Sequence, residues 1–270
     1  MNIWTKISIV VLVVEAFLAA FPQLFSHYSP TTIDLTNRLA PPSIAHFLGT
    51  DTLGRDVFIR LLYAIRYSFT VASFSLVLSL SIGLLMGSLS AIVGGFADSM
   101  LSTLFNILYI IPGFFIAIAL SILIGSGLTT TSIVIGLSLA PIFYRLCRSA
   151  AKEILTQPYI EAAKALGAST NWIIFRYVGK ELFYIALTTA IFLLSDAIAF
   201  EASLSILGLG VQPPTPTLGN MIAEYKEYVF TSPHLLIYPV MVIATTIASL
   251  NTLANEVGRK LNVLMKNSLL

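Results

Sequence analysis

Three carboxylates lie in stretches that are otherwise apolar: Glu15, Asp196 and Glu201. A charge at mid-bilayer costs about 2.5–3.5 kcal/mol on insertion scales, so each acid marks either a functional group or a hydrogen-bonded contact between helices. For Glu15 the interhelical contact, or a place near the membrane edge, is the better reading; for Asp196 and Glu201 both readings stand. Asp196 and Glu201 are offset by well over one helical turn and do not make a paired-carboxylate site. An intramembrane aspartyl mechanism needs two aspartates, whereas the spans offer only Asp196, and Gly208-Leu209-Gly210 is followed by Val211 where an acid would be required. No Gly-x-Ser-Gly with a partner histidine in a span supports serine chemistry. His27, His46 and His234 are scattered without metal-ligand spacing. The single Cys147 excludes an internal disulfide and any Cys-rich metal site. No Gly-x-x-x-x-Gly-Lys-[Ser/Thr] exists, so this chain does not bind ATP through a P-loop. The residue inventory argues against catalysis and for passage or docking.

Two polar segments are more distinctive than the acids. Residues 46–66 read HFLGTDTLGRDVFIRLLYAIR, a turn-rich knot around Gly49, Asp51, Gly54, Arg55 and Asp56, followed by a helix with Val57, Leu61, Ala64 and Ile65 on its apolar side. As an ordinary element this helix lies at the interface, with Arg55, Arg60 and Arg66 meeting lipid headgroups. Residues 201–220 read EASLSILGLGVQPPTPTLGN, where Gly208, Gly210, Pro213, Pro214 and Pro216 cannot continue a helix. Irregular backbone near membrane depth is tolerated only when protein covers it or it lines an aqueous cavity. Asp196, Glu201, Ser203, Gly208 and Gly210 are therefore candidates for a translocation pathway or gate.

The elements that must position these residues follow from composition. The 270 residues are 57% hydrophobic and 10% charged, with a mean hydropathy of +0.89. A soluble domain carries about 25% charged residues, so most of this chain is built for a membrane, as one domain over residues 1–270. A net charge of +2 without a basic stripe argues against nucleic acid. A span needs about 20 apolar residues, and six segments qualify: 7–25, 68–93, 100–124, 128–147, 183–206 and 234–256. The first resembles a signal peptide, but it lacks a small-x-small cleavage site and contains Glu15, which predicts a retained signal-anchor.

Lysine and arginine set the orientation. With the N-terminus inside, the inner segments hold Lys6, Arg145, Arg148, Lys152, Lys164, Arg176, Lys180, Arg259, Lys260 and Lys266, and the outer ones hold Arg38, Arg55, Arg60, Arg66 and Lys226. Ten against five predicts that both termini are cytoplasmic, and six of the ten fall within 145–182. Pro158 suits a first helical position and Gly167 a left-handed cap, which predicts a short helix over 158–167. Pro158, Glu161, Ala162 and Ala165 share one face, and alanines at 162, 163 and 165 admit another backbone closely. Ser169 can cap a second helix through Trp172, Ile173, Ile174 and Phe175. An amphipathic connector explains this stretch as well as docking does, when it is taken alone.

Four blocks together resemble the permease subunits of ATP-binding-cassette importers, and more narrowly the second permease of the dipeptide, oligopeptide and nickel group. They are LGTDTLGRDVFIRLLYAIR (48–66), the Gly94-Gly95-x-x-Asp98 turn with Pro112-Gly113 downstream, EAAKALGAS (161–169) and EASLSILGLGVQPPTPTLGNM (201–221). The resemblance implies an all-α integral membrane protein of type I fold, with six transmembrane helices and a cytoplasmic coupling helix. Glu161, Ala162, Ala163, Lys164, Ala165 and Gly167 would belong to that helix, seated in a groove of an ATPase subunit. It further implies a bacterial inner-membrane location, a second homologous permease, two P-loop ATPases that carry the ATP and Mg, and an extracellular binding protein. The cargo would be peptides, nickel or a metal–chelator complex, and this chain would bind no cofactor. Two departures stand out. Tyr177-Val178-Gly179-Lys180 replaces the usual Ile-x-Leu-Pro, so the break before the fifth span would come from Gly179. Asn255 to Leu261 replaces an acidic tail. The rival reading is a proton-coupled secondary transporter that uses Glu15, Asp196 and Glu201 as relays; it would need inverted repeats with matching broken helices, and none is visible. A membrane scaffold is a third reading.

Overall fold

The computed structural model describes residues 2–25 and 28–268, so His27 lies outside the described residues. Among these residues the regular elements are all helices, with no strand. Five helices are long and apolar enough to cross a membrane: α1 (Ile3–Ala20), α2 (Val57–Val93), α5 (Leu128–Leu155), α8 (Gly179–Ile206, entered through a π turn at Ile174–Val178) and α10 (Pro233–Ser268). Between α2 and α5 lie α3 (Gly95–Ile110) and α4 (Gly113–Ile124), which meet at 95°. Three short helices complete the set: α6 (Pro158–Ala165), α7 (Thr170–Ile173) and α9 (Leu218–Tyr225).

Two of these elements differ from what the apolar runs predict. The stretch 100–124 reads as one span, but its helix breaks at Ile111, which is extended (φ −76, ψ 123) before Pro112. Proline removes an N–H and bars its predecessor from the helical region, so the axis turns there. The interfacial helix and the span at 68–93 are in fact one helix. Asp56 caps it by accepting from the Ile59 amide at 2.9 Å, and it runs unbroken for 37 residues. At 1.5 Å per residue that is about 55 Å, well beyond the roughly 30 Å hydrocarbon layer. The helix is therefore longer than one crossing needs, and its start is covered by protein. There Val57, Leu61, Ala64 and Ile65 form a cluster with Leu218, Met221 and Tyr225 of α9 and Leu235 of α10.

The main core runs between α2 and α5. A β-carbon at Gly83 would come within 2.2 Å of Phe143, and one at Gly136 within 2.9 Å of Leu78. Only small residues allow this approach, which brings Val71, Ala72, Ile135, Leu139 and Phe143 together with Leu193, Ala197 and Ile198 of α8. Ser75 donates across the seam to the Ser132 carbonyl at 2.9 Å.

The break expected at Gly179 is absent. Gly179 sits at φ −61, ψ −39, and the chain stays helical from Thr170 through the π turn into α8. A π turn absorbs one extra residue without leaving helical geometry, so the missing proline is answered by a change of pitch and not by a break.

Candidate functional site

At one end of the bundle, α6 is fixed from one side only. Ile160 is buried with Cys147, Ala151 and Ile154 of α5, Ile173 of α7, Val178 of the π turn and Leu182 of α8, and Ala163 is buried as well. Glu161, Ala162, Lys164 and Ala165 are exposed, and so is the following Leu166 at 90%. Gly167 takes φ +87, donates to the Lys164 carbonyl at 3.0 Å, and lets Ala168 reach the Ala163 carbonyl at 3.0 Å. This Schellman cap is what a glycine in that place predicts. Ser169 accepts from the Trp172 amide at 3.3 Å and so caps the second helix, although α7 is only four residues long before the pitch changes.

An ion cluster beside α6 has no counterpart in the reading of the residues, although Asp98 is part of a quoted motif. Asp98 is buried at the start of α3, and Arg148 of α5 donates to it through Nε at 2.6 Å and Nη2 at 2.8 Å. Lys152 adds a bond at 2.6 Å, and Ser90 another at 2.5 Å. Arg148 and Lys152 are four residues apart on one helical face, and that spacing is the sequence signal that could have pointed to a shared acid. The cluster ties the turn after α2 to the end of α5 from which α6 descends.

At the opposite end, the knot around residues 49–56 is closed by charge. Asp51 accepts from the Leu53 amide at 2.8 Å, the Arg55 amide at 3.0 Å and Arg55 Nε at 2.6 Å. Glu224 of α9 receives Arg55 Nη2 at 2.7 Å and Arg60 Nη2 at 2.9 Å. Arg60 Nε also lies 3.3 Å from Asp51 Oδ2, as an ion pair without hydrogen-bond geometry. Burial works against the Arg55 charge, but the Glu224 and Asp51 carboxylates outweigh it and hold the guanidinium above its ordinary value. Gly54 takes φ +72, and a β-carbon there would lie 1.6 Å from the Asp34 carbonyl oxygen, so the knot can close only with glycine. The lipid-headgroup reading of Arg55 and Arg60 is thus corrected: they are 5% and 0% exposed, and only Arg66 of the three is exposed. An acid 164 and 169 residues away in sequence makes their burial possible.

The intramembrane acids separate. Glu15 of α1 is buried against α10, accepting from Thr246 at 2.8 Å and Thr245 at 3.3 Å. Glu201 is fully buried and accepts from Ser68 of α2 at 2.9 Å, Ser205 at 2.8 Å and the Thr217 hydroxyl. Ser68 in turn accepts from the Leu218 amide at 3.1 Å, which ties α2, α8 and α9 together. Asp196 is exposed on α8, and no described side chain pairs with it. Ser203 is half-buried and bonds the Ala199 carbonyl at 2.8 Å. Gly208 ends α8 at φ +76, and Gly210 packs so tightly that a β-carbon would come within 2.8 Å of the Ser205 backbone. The Gly/Pro segment therefore folds back over the end of α8. Thr217 and Asn220 form a reciprocal capping box at the start of α9 and pin the segment's far end. Among the described residues no group of three or more His, Cys, Asp or Glu side chains gathers as a metal site.

A family model described as binding-protein-dependent transport system inner membrane component matches residues 79–262, from the middle of α2 into the last turns of α10. The chain belongs to that family. It is a multi-pass permease subunit of a transport system that works with a binding protein. The glutathione transport system permease protein of Pectobacterium atrosepticum is 31% identical over 96% of this chain and 85% of its own length. A dipeptide transport system permease of Alkalihalophilus pseudofirmus is 30% identical over 97% of this chain and 87% of its own. The oligopeptide transport system permease of Bacillus subtilis is 30% identical over 94% and 83%. Among solved structures, an inward-facing MetNI methionine ABC transporter chain aligns with a TM-score of 0.60 at 18% identity, covering 74% of this chain and 95% of that one. That likeness establishes the type I permease fold.

Proposed function

We propose that this permease passes peptides into the cytoplasm, driven by ATP hydrolysed on separate subunits that dock on α6. The observation that carries this reading is the one-sided burial of α6. Its inner residues are locked into the bundle, while Glu161, Ala162, Ala165 and Leu166 are left uncovered on a helix fixed at both ends by Pro158 and Gly167. A rigid helix in that state suits a partner's groove, and movement of the partner passes to α5 and α8 as a lever because α6 cannot bend independently of them. The peptide cargo is carried over from relatives named for glutathione, dipeptides and oligopeptides. The same reading supplies a second permease beside this one, an extracellular binding protein, two ATPases that hold the ATP and Mg, and a bacterial cytoplasmic membrane with both termini inside. No cofactor is assigned to this chain, and it performs no chemistry on its cargo.

The geometry gives no support to the proton-coupled alternative. Glu15 bonds α10 and Glu201 bonds α2 and its own helix, so the three acids form no continuous relay. Among the described residues the single bent pair, α3 with α4, has no second broken helix to match it as an inverted repeat would require.

The test uses cysteines at two exposed positions, Lys164 and Gln212. In a background lacking Cys147, Lys164→Cys and Gln212→Cys are treated with a membrane-impermeant thiol reagent on sealed vesicles. Lys164→Cys should react only from the side to which the ATPase subunits bind, and addition of those subunits should protect it. Gln212→Cys should react only from the other side and stay unprotected. Reaction of both from one side, or no protection at 164, would refute the docking arrangement.

A further inference from the structure

Among the described residues, Asp196 is the one intramembrane acid without a hydrogen-bond partner. It lies ten residues before the end of α8, about 15 Å along the helix, or roughly half the hydrocarbon thickness. The buried residues of α8 nearby, Leu193, Ala197, Ile198 and Glu201, define the side facing the chain's own core. Asp196 points the other way, and Thr189 and Ser203, seven residues to either side, share its face. These three polar groups mark a stripe about 21 Å long; between them, apart from Ser195 and Glu201 on the buried side, the helix is made of Leu, Ile, Phe and Ala. Lipid does not accept such a stripe, because an unpaired carboxylate at that depth must meet water or a cation. Glu15 and Glu201 show how this chain treats an acid that merely joins helices: it surrounds each with hydroxyl donors. Asp196 receives none among the described residues.

We infer that Asp196 is the contact in the translocation pathway for the α-ammonium group of a peptide, an inference that rests on the peptide-importer reading above. Glutathione, dipeptides and oligopeptides differ in length, side chains and backbone linkage, but each carries a free amino group that is largely protonated at neutral pH. A single carboxylate among hydroxyls would recognise that shared feature and ignore the rest. One charged contact holds a cargo weakly enough to release it, which a pathway requires. Its acceptor chemistry also distinguishes an ammonium-bearing peptide from a bare metal ion, which would want several oxygen or nitrogen ligands at one point.

The experiment uses the complete complex of this permease with its partner subunits and binding protein in vesicles. ATP is enclosed on the α6 side, and a tryptic peptide digest serves as cargo, followed by mass spectrometry. Asp196→Asn should slow uptake at saturating binding protein about tenfold, the size of one charged hydrogen bond, and Asp196→Glu should recover most of the loss. N-acetylation of the digest should slow the unsubstituted permease, whereas the Asn variant should take free and acetylated peptides at nearly equal rates. Uptake by the Asn variant at the unsubstituted rate, or with its preference for free amines intact, overturns the inference. Loss of the second permease from the purified Asn complex also overturns it, since Asp196 would then join two chains. If the unsubstituted complex accumulates no peptide at all, the peptide reading itself fails and the inference falls with it.

Discussion

Arg60 is 0% exposed, and it shares Asp51 and Glu224 with Arg55. Removing two cations and two carboxylates from water carries a large desolvation cost, recovered only while all four are present in good geometry. Breaking such a group leaves a buried charge without a partner, so Arg60→Met should destabilise the purified permease by about 3–5 kcal/mol. Arg60→Met with Glu224→Met should cost clearly less than the sum of the two single changes, because the double variant removes one charge of each sign. Thermal unfolding in detergent measures the cycle. Strictly additive losses would show that the four groups do not act as a unit. The same cluster marks the limit of what the residues disclose. Arg55, Asp56 and Asp51 are legible as a polar knot because they are neighbours in the chain, whereas Glu224 lies 169 residues from Arg55, and only the fold makes it their counter-ion.

Helix α6 is legible for the opposite reason. Pro158 at the first turn, Gly167 in the left-handed region and alanines between them are local signals, and local physics decides such a helix. The bend at Ile111-Pro112 and the π turn before Gly179 are harder to read, because an apolar run of helical length has the same composition whether straight, broken or re-pitched. The glycine cap supports a direct prediction. A β-carbon at Gly167 would meet nothing within 4 Å, so Gly167→Leu adds no clash and suffers only from its φ of +87. That strain is on the order of 1 kcal/mol, enough to fray the helix end without unfolding the bundle. The variant should insert and purify as the unsubstituted protein does, while binding-protein-stimulated ATP hydrolysis by the assembled complex falls severalfold. Normal stimulation in that variant would separate α6 from coupling.

The structure joins two ends that behave differently. At one end the Asp51–Arg55–Arg60–Glu224 group and the Glu201–Ser68–Leu218 bonds bind α2, α8 and α9 into a rigid block. At the other, Asp98 with Arg148 and Lys152 fixes α3 to α5 beside an α6 whose outer face is bare. Ion groups tie helices together at both ends while only one end presents a bare helix, an arrangement that suits alternating access by an externally powered permease more than a self-contained proton relay. Five crossing helices, the short helix that starts at Pro158 and the polar knot were readable from apolar length, turn residues and charge. The bend in the third span has a local cause in Pro112 that the surrounding apolar run masks, whereas the partners of the buried ions depend on contacts between distant parts of the chain. The source of energy is the central claim, and peptide uptake into vesicles carrying the full complex tests it, with ATP supplied on the α6 side and the proton gradient collapsed by an uncoupler. Uptake should persist with the uncoupler and stop when ATP is withheld. Uptake that follows the proton gradient in vesicles containing this chain alone would contradict the account.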